Sequence, residues 1–184
     1  MKKKIWILVT VLLLVVALAG CNSSAPAASS APASSQPDGQ EPNVWVVTAE
    51  APVTDEMGAA AGTAYPGFAV NIQSEKDGKA TFAVAEMDDK GENMKNLKVF
   101  SMDTKYMEKQ YVEPQAVILI ISTDMIKVNP GGALYNEAGD KLITFDSGVG
   151  PFYFIQKSDQ GYMFTLDSNV VFAPENDVTI IKIS

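Results

Sequence analysis

Histidine and arginine are both absent from the 184 residues, and cysteine occurs once, at Cys21. Catalysis by an imidazole base, zinc sites built on histidine and bidentate arginine grips on phosphate are therefore excluded. With one cysteine, no disulfide can close within the chain. All 14 positive side chains are lysines, set against 22 acidic residues, and no basic cluster lies beyond Lys2, Lys3 and Lys4. Nucleic acid is accordingly not expected as a partner, because binding to a phosphate backbone depends on clustered basic groups. No stretch carries the oxygen ligands, glycine and terminal glutamate of an EF-hand loop, and neither a metal nor any other cofactor is expected. The carboxylate pairs Asp88 with Asp89 and Glu175 with Asp177 fall in polar, turn-like stretches that read as solvated loops. A serine–lysine dyad is compatible with the composition, but no strand-turn-helix elbow frames a serine.

What is present begins at the amino terminus. Three lysines are followed by residues 5–19, apolar except for Thr10, which is the layout of a secretory signal. The run is shorter than the roughly 20 residues of a spanning helix and leads into a polar segment. It closes on Leu18-Ala19-Gly20-Cys21, which resembles the bacterial lipobox. That resemblance implies a diacylglycerol on the Cys21 thiol, cleavage just before it, and a mature protein held on the extracytoplasmic face of the cell membrane. Two or three acyl chains are needed for a stable anchor, since each buried methylene contributes about 0.8 kcal/mol and one chain binds only marginally. The alternative is ordinary cleavage and a free secreted product with an unpaired thiol. Residues 1–20 are thus expected to be a lipoprotein signal peptide.

Residues 21–42 follow as a disordered tether, because from Asn22 to Pro42 there is no large apolar side chain to offset the entropy of ordering. Its root-mean-square span is about 25 Å, which holds the folded part off the headgroups. Removal of the signal leaves eleven lysines against 22 acids. An acidic surface of this kind keeps an exported protein soluble.

From Asn43 onward, short alternating or apolar runs are separated by turn residues, the pattern of an all-β fold. Strands are predicted over 44–48, 68–72, 80–85 and 97–100. In the second half they are predicted over 116–122, 125–128, 142–145, 152–156, 162–166, 170–172 and 178–183. One helical turn is predicted over 103–110, capped by Asp103 or Thr104. Self-comparison points to a repeat. Asp55-Glu56-Met57-Gly58 parallels Asn136-Glu137-Ala138-Gly139, Ile72-Gln73 before Gly78 parallels Ile155-Gln156 before Gly161, and Val99-Phe100 parallels Val171-Phe172. The changing separation places about ten extra residues in the first copy, within 87–96. Division near Pro114 gives two pieces, 43–114 and 115–184, each of small-barrel size.

The second piece resembles a bacterial SH3-like (SH3b) domain. An apolar run at 117–121 precedes Met125-Ile126-Lys127-Val128-Asn129-Pro130-Gly131, similar to the family's leucine-asparagine-valine-arginine-serine-glycine-proline segment. Asp146-Ser147-Gly148 stands ahead of 152–156 like the family's lysine-glycine turn. Gln160-Gly161-Tyr162 and Val170-Val171-Phe172 stand where the family has glycine-tryptophan and glycine-tryptophan-valine. Lysine, tyrosine and phenylalanine here replace the family's arginine and two tryptophans. The first piece is more divergent and is SH3-like by repetition. Two small SH3-like barrels in tandem are the expected architecture.

The resemblance implies noncatalytic binding, through aromatic side chains along a shallow groove, to cell-wall peptide (peptidoglycan stems or crossbridges) or another envelope component. Tyr135, Tyr153 and Tyr162 are the candidate ligand-binding residues, each with a flat apolar face and a hydroxyl suited to a wet groove. The alternative for each is a half-buried strand tyrosine. Phe152 and Phe154 share a face by period two and, with Phe172, read as core. SH3-like modules often accompany wall hydrolases, but the thiol and imidazole those need are missing, so an enzyme is not expected. The other functional expectation is an adaptor or inhibitor subunit for an envelope enzyme or transporter.

Overall fold

Lys76 and Lys79 pair across a two-residue turn in which Asp77 and Gly78 both take positive φ, 52° and 74°, the conformation a tight hairpin requires. Turns like this one, between runs whose side chains alternate inward and outward, build the whole body. The structure, a computed structural model, describes residues 41–113 and 123–183. The expected signal peptide, Cys21, nearly all of the tether, the 116–122 strand and the boundary at 114–115 lie outside the described residues.

The first half contains β1 (Val44–Val47), β2 (Ala51–Asp55), β3 (Ala60–Ala64), β4 (Ala69–Val70), β5 (Ser74–Lys76), β6 (Lys79–Met87) and β7 (Met94–Asp103). A 3-10 turn (Thr104–Tyr106) then leads into β8 (Met107–Gln110). The second half contains β9 (Met125–Val128), β10 (Ala133–Tyr135), β11 (Lys141–Phe145), β12 (Val149–Tyr153), β13 (Gln156–Ser158), β14 (Gly161–Leu166) and β15 (Asn169–Ala173). A second 3-10 turn (Glu175–Asp177) leads into β16 (Val178–Ile181). The fold is all-β. Among the described residues no helix is long and apolar enough to cross a membrane.

Both halves run through the same pairing sequence. In the first, β1 lies between β4 and β8, and a separate run is ordered β3-β2-β7-β6-β5. In the second, β9 lies between β12 and β16, and the run is β11-β10-β15-β14-β13. The two longer runs then join, because β3 pairs antiparallel with β11, giving one ten-stranded sheet. The tandem therefore takes a different form from two separately closed barrels. Its halves share a sheet, and one hydrophobic core draws residues from both. Phe68, Phe82, Phe100 and Phe145 form a row of rings with centroids 5.9, 5.6 and 5.5 Å apart that crosses from the first half into the second. Each such ring, fully buried, contributes about 1.5–3 kcal/mol, so separating the halves would expose a continuous apolar surface. All the described residues belong to one compact unit.

Local details depart from the expectations in instructive ways. The predicted helical turn over 103–110 is helical only at Thr104–Tyr106, and the Asp103 side chain makes no cap hydrogen bond. Met107 is instead buried in a strand opposite Val47, so tertiary pairing overrides the local helical signal. The stretch 152–156 spans the end of β12 and the start of β13. Strands β2, β3, β5 and β10 were not predicted, because they are short or rich in alanine, glycine and proline, which rank low in strand propensity.

The repeat pairs shift by one residue at two places. Gln73 and Ile155 are the equivalent donors, their N–H groups bonding the carbonyls of Thr81 and Met163 at 2.8 and 2.7 Å. Ser101 pairs with Thr54 as Phe172 pairs with Tyr135, which matches Phe100 with Val171. The extra residues of the first half extend the β6–β7 hairpin, whose ladder runs out to Met87 opposite Met94, whereas the β14–β15 ladder ends at Leu166 opposite Asn169.

Candidate functional site

The shorter β14–β15 hairpin leaves a cleft open between the halves, with a volume of about 620 Å³. Val46, Ala69 and Val112 come to it from the first half, and Leu142, Met163, Val170 and Phe172 from the second. Period-two alternation explains the second-half wall. Val170 and Phe172 lie on one face of β15, and Met163 on β14 is the cross-strand partner of Phe172. Val46 and Ala69 are likewise direct partners between β1 and β4.

The rims are held by side chains bonded to backbone. The buried Asn169 amide accepts from the Ala69 N–H at 2.9 Å and donates to the carbonyls of Ala69 and Leu166 at 2.6 and 3.0 Å. Beside it, the Asp167 carboxylate accepts from the Asn71 backbone N–H at 2.8 Å and from the Asn71 side-chain amide, which also donates to the Ser168 hydroxyl at 2.7 Å. Crowding by neighbouring protein raises the Asp167 pKa above its ordinary 3.8, and the Asn71 and Ser168 donors pull it the other way without cancelling the effect. On the far side, the Asn43 side chain brackets Val112, accepting from its N–H and donating to its carbonyl, both at 2.8 Å. Gln160 donates to the Glu137 carbonyl at 3.0 Å.

Glu137 is the one charged residue among those lining the cleft; no lysine, thiol or second carboxylate joins it. The surface is apolar with amide groups at its margin, so it suits a neutral or cationic ligand and disfavours a carboxylate or phosphate. The lining serine, Ser168, is engaged with Asn71 and with the Asp167 carboxylate. Among the described residues, no group of three or more acidic or thiol side chains is placed to hold a metal ion.

None of the three candidate tyrosines lines this cleft. Tyr135 is half-buried on β10, opposite Phe172 and Lys141. Tyr153, at the end of β12, donates its hydroxyl to the Gly91 carbonyl at 2.7 Å and so holds the long β6–β7 hairpin of the other half. Tyr162 is only 4% exposed; its ring meets that of Phe154 edge-on at 5.0 Å, with the Lys157 ammonium 5.5 Å from its centroid. Tyr162 is thus a core residue, because β14 turns that face inward. Phe152 and Phe172 are buried as expected, Phe152 stacked on Phe164 at 5.1 Å, while Phe154 is only partly buried against the core.

The cleft residues themselves carry no local signal, since they lie far apart in the chain and meet only through the joining of the halves. Trp45 was also passed over. It lines a second, smaller cleft of about 260 Å³ with Ile72 and Lys109, whose ammonium stands 5.1 Å from the indole centroid. In comparisons with known proteins, the chain matches no family model, no curated protein and no solved structure.

Proposed function

We propose that the chain is a lipid-anchored, noncatalytic binding module of the cell envelope, whose two SH3-like halves hold a peptide segment in the cleft between them. The anchor is the acylated Cys21, and the tether presents the body to the wall. The duplication within this reading draws support from the identical pairing sequence of the halves, three strands plus five in each. The observation that carries the binding role is the open, largely apolar cleft with Glu137 as the one charged residue among those lining it. A cell-wall stem or crossbridge peptide fits that chemistry: its aliphatic side chains match the floor, its amides match the rim, and a free amine meets Glu137. Anchoring confines the search to a thin layer and raises the local concentration of such ligands.

The test is retention of residues 34–184 on purified cell wall. The parent is expected to be retained, and Val170→Glu and Met163→Glu, which place a charge on the half-exposed cleft wall, are expected to reduce retention at least tenfold. Retention unchanged by both substitutions removes the cleft from the account. No retention, with stoichiometric capture of one envelope protein, favours the adaptor role, and release of soluble wall fragments points to an enzyme.

A further inference from the structure

The seam between the halves is built like a two-fold dimer interface but filled with unlike residues. Thr63 and Thr144 stand opposite each other in the antiparallel β3–β11 pair, at the same place in the two halves. Ala69 and Gly150, at the same chain separation as the two threonines, are each bound by the opposite half: the Ala69 N–H by Asn169 at 2.9 Å, and the Gly150 N–H by Glu86 at 2.9 Å. Glu86 is buried, and Lys98 holds it at 3.1 Å while also donating to the Gly148 carbonyl at 3.1 Å. Reciprocal contacts of this kind characterise isologous pairing.

The side chains break the symmetry. Strand β3 reads Ala-Ala-Gly-Thr-Ala and β11 reads Lys-Leu-Ile-Thr-Phe, with Gly62 opposite Phe145 and Ala64 opposite Ile143. The approach is close at Gly62, where a Cβ would lie 1.9 Å from the Thr144 carbonyl oxygen. Two β3 strands paired the same way would set glycine against alanine and leave space unfilled. Two β11 strands would set isoleucine against phenylalanine twice and overpack.

We infer that the halves are mutually specific, unlike partners, so that a cut between them leaves one particle: the first half fits the second and neither fits a copy of itself. Cleavage between Glu113 and Thr123 would then fail to free the second half from the first. This inference rests on the seam alone and stands apart from whatever the cleft binds.

The experiment places a protease site between Gln115 and Ala116 in residues 34–184 and cuts the folded protein. Light scattering and native mass spectrometry are expected to find one particle containing one copy of each piece at micromolar concentration. The urea midpoint of the cut protein should rise with protein concentration, and that of the uncut protein should not. Unfolding and refolding the cut material should regenerate the one-to-one particle. Pieces that elute separately under native conditions, or that refold into pairs of identical pieces, overturn the inference.

Discussion

Thr63 and Thr144, 81 residues apart, face each other across the β3–β11 pair, the Thr144 hydroxyl accepting from the Thr63 N–H at 3.2 Å and donating to the Thr63 carbonyl at 3.4 Å. Each holds the same place in its own half, so the body is organised about this pair. The open cleft borders the Ala69 clasp.

Gly62 should tolerate no side chain. Its Cβ would strike the Thr144 carbonyl, which is backbone and cannot swing away. Gly62→Ala is expected to destabilise the body by about 2–4 kcal/mol, at the upper end for a single substitution. Urea denaturation followed by Trp45 fluorescence measures it, and a change under about 0.5 kcal/mol, the scale of an ordinary surface substitution, would show that the strands separate easily here.

Glu86 acts as an acceptor more than as an ion-pair partner. Lys98 is 37% exposed, so its attraction is partly screened, whereas the Gly150 N–H depends on the Glu86 oxygen. Glu86→Gln, which keeps an acceptor, should cost less than Glu86→Ala, which leaves a buried donor unpaired at about 1–3 kcal/mol. Equal losses in chemical denaturation would assign the stability to charge instead.

Asp167 makes stability fall as pH rises. Its folded pKa lies above the 3.8 of the unfolded chain, so its contribution is complete below 3.8 and is lost as the pH climbs through the folded value. Asn suits the left-handed conformation at this position, where φ is 52°. Asp167→Asn should therefore gain on the parent between pH 3.5 and pH 7, as judged by the difference in urea midpoints. A difference that shrinks with rising pH contradicts a raised Asp167 pKa.

Cys21→Ser should leave the protein unprocessed or release it from the membrane, because only a thiol forms the thioether. Detergent phase partitioning and the mass of the mature chain read the outcome. A serine variant that matures and partitions as the parent does ends the lipoprotein reading.

Some elements were plain from the residues. Met125 to Val128 and Leu142 to Phe145 are dense in β-branched and aromatic side chains, and both are strands close to the expected bounds. Strand β3 was invisible for the converse reason: its small residues are favourable only because β11 supplies the volume that fills the space. The candidate site fared likewise. Tyrosines attracted attention as amphipathic residues, yet Tyr153 is engaged by Gly91 and Tyr162 is packed on Phe154, partnerships fixed by chain segments far away.

Alternation, turn chemistry and composition act over a few residues, and they alone determined that this chain is all-β, that its halves echo each other, and that imidazole and arginine chemistry are closed to it. Which strands meet, and what stands open between them, was decided by fit among side chains brought together from distant segments. Packing is non-local, so the pairing of Gly62 with Phe145 and the cleft bordered by Val112 and Val170 exist only in the folded body.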